Sequence, residues 1–151
     1  MTVETAEHRR LGVELFNHVW TLLEKPERTL EEDDEMVHAA HASAYHWRQV
    51  GTPANFARSE WQCSRVYAVL GRGEPALWHA RRCLELVEAH PDETEPWDEP
   101  FAHEALARAY DATGDAEAAH RHAERARTGA DAIDDEDDRE HLLSALATLG
   151  A

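Results

Sequence analysis

An all-α fold is predicted, and three observations predict it. Apolar residues recur at intervals of three and four along nearly the whole chain. No stretch alternates apolar and polar residues between hairpin turns. Glycines, prolines and capping residues divide the periodic stretches into about seven helices.

The first helix is expected from about Val3 to Glu24, with Leu11, Leu15, Val19 and Leu22 on one stripe, Phe16 and Leu23 beside it, and Pro26 as its stop. Thr29 and Glu32 form a capping box, each side chain satisfying a backbone N–H at the start of a second helix. That helix reaches about Val50 and buries Met36, Ala40, Ser43, Trp47 and Val50. Gly51, Thr52 and Pro53 read as C-cap, N-cap and first residue of a third helix, which ends near Leu70. Gly71, Gly73 and Pro75 interrupt the chain before a fourth helix ending near His90. Residues 91–100 hold three prolines and five acids and are expected to form a loop. A fifth helix follows from about Pro100 to Thr113 and, after the Gly114–Asp115 turn, a sixth to about Ala130. The acids of Asp134 to Asp138 suit the positive end of a seventh helix, whose apolar face is Leu142, Leu143, Leu146 and Leu149.

A shift of 43 residues lays 58–84 over 101–127 with eight identities in 27 positions. These are Arg65/Arg108, Tyr67/Tyr110, Gly71/Gly114, Glu74/Glu117, Ala76/Ala119, His79/His122, Ala80/Ala123 and Arg82/Arg125. The unit is a helical hairpin: Gly permits the turn, small residues on the second helix allow close approach to the first, and Tyr fills the wedge between them. In this hairpin Cys63 and Cys83 fall at similar heights on facing helices, so contact at about 4–5 Å without a bridge is expected.

The spacing of Tyr, Gly and small residues resembles the tetratricopeptide repeat over about 58–130. The chain departs from that family in its period of 43 rather than about 34 residues. It also lacks the usual Trp near the start of the first helix, where Glu60 and His103 stand. The resemblance implies antiparallel hairpins stacked as a short right-handed superhelix, with the first helices lining a concave groove that binds a peptide or protein. One all-helical domain over 1–151 is then expected, comprising a degenerate hairpin at 1–50, repeat-like hairpins at 53–90 and 100–130, and a capping helix at 134–151.

Composition narrows the partners. The chain carries 31 acidic and 15 basic residues, a net charge of −16, and Lys25 is its only lysine. Such a surface opposes nucleic acid, whose binding draws on counterion release by basic residues. Its apolar runs are far shorter than the ~20 residues that cross a bilayer, so no membrane is expected. The opening MTVETAEHRRLG lacks the basic start and apolar stretch of a signal peptide, so a cytoplasmic setting with reduced thiols is expected. The sequence is compatible with a homo-oligomer and points to no cofactor.

No nucleophilic motif stands out, so no catalytic residue is named. His38 and His41 lie about 60° apart on a helix and are the candidate metal ligands, but His46 falls about 140° from His41 and a third ligand must come from elsewhere. Two Glu-x-x-His pairs, Glu35/His38 and Glu117/His120, suggest a di-iron bundle. With 20 Glu and 11 His in 151 residues, however, one or two such pairs are the chance expectation. Asp134, Asp135, Asp137 and Asp138 lack the glycine turn and final Glu of a calcium loop. Of the aromatic residues Tyr45, Trp47, Trp61, Tyr67 and Trp78, most are expected in the core, with Trp61 the best candidate for exposure.

The candidate groove therefore comprises Arg58, Trp61, Arg65 and Arg108. The three arginines sit on the first helices of the two hairpins, and two of them are repeat equivalents. An arginine fork can hold a carboxylate bidentately, which suits an acidic peptide or a C-terminal carboxylate. The competing reading ties each Arg to a neighbouring acid such as Glu60 or Glu104. A non-enzymatic binding or scaffold module is the expected function, and a metal-dependent helical enzyme or metal-binding protein using the central histidines is the alternative.

Overall fold

Residues 2–149 are described by a computed structural model. Among them the chain forms α1 (Thr5–Leu23), α2 (Leu30–Val50), α3 (Pro53–Val69), α4 (Gly73–Ala89), α5 (Asp98–Thr113), α6 (Ala116–Ala130) and α7 (Glu136–Ala147), with a short 3-10 turn at Pro91–Glu93 and no strand. No helix among these residues is long and apolar enough to cross a membrane. The sequence-predicted seven-helix all-α fold is the observed one.

The helix boundaries follow from local chemistry. Thr29 Oγ1 accepts from the Glu32 N–H at 3.2 Å while Glu32 Oε1 accepts from the Thr29 N–H at 3.1 Å, so the capping box forms. At the next junction Asn55 Oδ1 accepts from the Thr52 N–H at 3.0 Å, and Pro53 occupies the first helical position, where no N–H is needed. Gly71 and Gly114 carry φ of +74° and +87°. In both turns the residue after the glycine donates back to the repeat tyrosine carbonyl, Arg72 to Tyr67 at 2.8 Å and Asp115 to Tyr110 at 3.0 Å. This is the Schellman closure, repeated 43 residues apart.

Two boundaries differ from expectation. The fourth helix begins at Gly73, inside the expected Gly71–Pro75 break, and the fifth at Asp98, two residues before the expected Pro100. Proline is tolerated anywhere in a first turn, because the first four N–H groups have no partner within the helix. Leu143, assigned to the apolar face of α7, is 44% exposed, whereas Leu142 and Leu146 are buried.

Each helix packs on its chain neighbours, and α3 also packs on α5. The core is a succession of clusters along the stack. Val19, Leu22, Met36, Ala40, Cys63 and Val66 join α1, α2 and α3. Ala76, Ala80, Ala105, Leu106 and Ala109 join α4 to α5. Ala107, Ala123, Ala126, Ile133, Leu142 and Leu146 join α5 and α6 to α7 and the segment before it. More than half of the buried apolar residues are alanine. Such small side chains let helices approach closely, so density is reached without bulky residues. Buried hydroxyls are satisfied across helices: Ser43 Oγ donates to the Gly12 carbonyl and Ser64 Oγ to the Ala76 carbonyl, both at 2.8 Å.

Cys63 and Cys83 are both buried and free. They do not share a cluster. Cys63 packs with α1 and α2 residues, and Cys83 with Ala57, Val87 and Ala102.

Candidate ligand-binding site

The first helices of the hairpins, α1, α3 and α5, together with α7, enclose an aromatic cleft of about 310 Å³. Each wall is set by helical spacing. Phe16 and Trp20 are one turn apart on α1, Trp97 and Phe101 one turn apart at the start of α5, and Asp138 and His141 one turn apart on α7. Trp61 of α3 stands between them. Its ring lies 5.5 Å from Trp20 and 5.9 Å, edge to face, from Phe101. Phe101 continues the belt to Trp97 at 6.3 Å and to His141 at 5.8 Å. Tilted and edge-to-face rings at these separations are mutually favourable, so the belt forms a continuous aromatic wall of the cleft.

Charged groups support this wall. Arg58 Nε and Nη2 donate to the two oxygens of Asp98 at 3.1 and 3.0 Å, a bidentate pair, and its guanidinium lies 4.2 Å above the Trp97 ring. The Asp98 side chain is 3% exposed and also accepts from the Glu95 N–H at 2.8 Å, which closes the turn into α5. The stack on Trp97 and the fork on Asp98 leave Arg58 little freedom to leave.

Deeper in the fold, Glu104 is 1% exposed and collects three donors. Arg65 Nη1 reaches its Oε1 at 3.1 Å, Arg108 Nε reaches the same oxygen at 2.8 Å, and the Trp61 indole N–H points at Oε2 from 3.4 Å. Arg108 also donates to the Ala145 carbonyl and Thr148 hydroxyl, both at 2.8 Å, tying α5 to α7. Burial holds the Arg65 guanidinium below its ordinary pKa, against the Glu104 charge that raises it.

The structure thus brings Arg58, Trp61, Arg65 and Arg108 to one neighbourhood, but with a correction to the chemistry expected of them. All three guanidinium groups pair with internal carboxylates, Arg58 through a bidentate fork and Arg65 through Nη1 alone. For Arg65 and Arg108 the acid is Glu104. Glu60, the other acid considered, pairs with His79 instead. Among the aromatics, Trp78 at 62% and Tyr45 at 53% are the exposed ones, and Trp61 is half-buried.

A shallower depression shares Trp20, Trp61 and His141 with the cleft and runs on past Arg65 to Asp137 and Glu140. Among the described residues Asp137, Asp138 and Glu140 take part in no ion pair.

The candidate metal ligands lie away from this cleft. His41 shares a hydrogen bond with the Tyr67 hydroxyl at 2.9 Å, and its Nδ1 faces Cys63 Sγ at 4.0 Å. His38 is exposed. Among the described residues no group of three or more His, Cys, Asp or Glu side chains is placed to hold a metal ion.

Sequence reasoning missed Phe16, Trp20, Trp97, Phe101, Asp98, Asp138 and His141 as site residues. The available signal was the one-turn spacing of aromatic pairs, which equally marks a core stripe. Set against protein-family models, curated proteins and solved structures, the chain matches none of them.

Proposed function

We propose that this chain is a non-enzymatic peptide-binding module whose site is the cleft between α1, α3, α5 and α7. The observation that carries the reading is the cleft itself: about 310 Å³ walled by six rings from four helices. Binding sites are concave and mostly apolar, with a few polar groups that fix orientation, and this volume suits one or two side chains rather than a large ligand. The internal pairs support the same reading. Arg58 on Asp98, and Arg65 and Arg108 on Glu104, stiffen the walls, so little ordering is left for a ligand to bring about. The resemblance of residues 58–130 to tetratricopeptide hairpins, whose first helices line a peptide groove, adds to it.

Display of random peptides on the immobilised full chain tests the proposal. Selection should enrich peptides that bind wild type and lose at least about tenfold in affinity against Trp61→Ala, a loss typical of truncating a buried aromatic anchor. His141→Ala provides a second probe, because His141 is exposed and its loss leaves the core intact. Enrichment of nothing, or of peptides that bind both variants as tightly as wild type, overturns the proposal.

A further inference from the structure

We propose that the occupant of the aromatic cleft is an arginine side chain of the bound peptide, its guanidinium stacked on the indole faces with its charge toward Asp138. The inference rests on the peptide-binding reading and adds the chemical class of the ligand.

Its basis is the sign of the uncompensated charge. Counted from sequence, the groove looked basic, with Arg58, Arg65 and Arg108 together in an acidic chain. In the fold Asp98 cancels Arg58, and Arg65 and Arg108 share the one charge of Glu104, so three positive charges are reduced to one. Against that one residual positive charge stand three acids of α7 without a partner, Asp138 in the cleft wall and Asp137 and Glu140 along its extension. A net charge of −16 adds a long-range field of the same sign. An acidic ligand meets repulsion here, and a cation meets attraction.

The walls choose among cations. The faces of Trp and Phe are electron-rich and attract a cation within about 6 Å of the ring centre. A guanidinium is flat and more weakly hydrated than an ammonium, so it loses less on leaving water and stacks where an ammonium only approaches. The cleft already contains one instance: Arg58 lies 4.2 Å over Trp97 while bonding to Asp98. The incoming arginine repeats that arrangement on the opposite side, with Trp20 and Trp61 as its rings and Asp138 as its acid.

The test compares acetyl-Ala-Arg-Ala-amide with its citrulline counterpart, which keeps the shape and loses the charge, on the full chain. Binding is read from the indole N–H resonances by NMR. The arginine peptide is expected to bind at least about tenfold more tightly at low salt, to weaken as salt rises, and to shift the Trp20 and Trp61 signals first. Asp138→Asn, a substitution on a half-buried surface position, should cost the arginine peptide about threefold to tenfold and leave the citrulline peptide unchanged. Equal binding of the two peptides, no binding of either, or shifts confined to Trp47 and Trp78 overturns the inference. Selected neutral peptides that still require Trp61 preserve the peptide-binding reading while sinking this one, so the two failures are distinguishable.

Discussion

The ring of Tyr67 lies parallel to that of His79, with centroids 5.7 Å apart and 7° between planes. The repeat-equivalent Tyr110 does the same with His122 at 5.5 Å and 9°. A tyrosine on each first helix and a histidine on each second helix therefore form one wedge, built twice. Removal of the Tyr67 hydroxyl by Tyr67→Phe costs only its bond to His41, about 0.5–1 kcal/mol. Tyr67→Ala also loses the stack and the half-buried ring, about 1–3 kcal/mol. Urea unfolding of the two variants reads the difference, and equal costs would show that the ring does not hold the hairpin.

Glu104 is expected to be the most sensitive polar position. Glu104→Ala leaves the Arg65 and Arg108 guanidinium groups largely buried without a counter-charge, lowering stability by roughly 2–4 kcal/mol. Adding Arg65→Met and Arg108→Met to that variant should recover part of the loss, because the destabilising element is the isolated charge. Chemical denaturation of the single and triple variants decides the point. A triple variant less stable than the single one contradicts it.

Stability should fall on acidification. In the unfolded chain His103 gains a proton as the pH drops through its ordinary value of 6.5. In the fold, burial first, and then the neighbouring His122 and Arg125 charges, push its pKa down to about 4. Between those values the unfolded state binds more protons, so stability is full above about pH 6.5 and is lost as pH falls toward 4, by up to about 3 kcal/mol. His122 is lowered as well, chiefly by burial, and acts in the same direction. His103 and His122 meet Nδ1 to Nδ1 at 3.0 Å, a contact that accommodates one proton and not two. Urea midpoints measured from pH 7.5 to 4.5 should therefore decline, and His103→Gln should flatten the decline. An unchanged slope in the variant excludes this source.

The thiols should be inert. Burial pushes both Cys63 and Cys83 well above the ordinary thiol range, and the thiolate is the reactive form. Ellman's reagent at pH 8 should find almost no thiol in native protein within minutes and both after denaturation. Rapid labelling of the native state would reveal local opening around α3 and α4.

At the two turns, Gly114→Ala and Gly71→Ala should cost about 1–2 kcal/mol each. The penalty is the left-handed backbone alone, since an added Cβ meets nothing within 4 Å. Thermal melts of the two variants should shift by similar amounts, and a much larger shift at either would reveal packing there.

Local signals were legible in the sequence. The Thr29 box, the Gly51–Thr52–Pro53 junction and the paired glycine turns are decided within a few residues, and each stands where its residues placed it. Glu104, four residues before Arg108 on the same helix, could also be named as its partner. The aromatic belt was not legible, because its rings come from four helices. Phe16 with Trp20, and Trp97 with Phe101, have the spacing of any buried stripe. Nor could the sequence select Asp98 from the five acids of residues 91–100. That choice is made by the approach of Arg58, forty residues away. How much positive charge the arginines leave for a ligand depends on such pairings, which a count of arginines does not show.

The hydroxyls of the two wedge tyrosines reach beyond their own hairpins to different partners. Tyr67 meets His41 of α2, and Tyr110 meets Arg81 of α4, whose guanidinium also lies 5.9 Å from the Tyr110 ring. Each hairpin thus reads the identity of the one before it. The hairpins share an internal plan yet are not interchangeable beads: their order along the stack is written in the residue each second helix offers to the next tyrosine. A chain with its two repeat units transposed would keep every wedge and misaddress both joints.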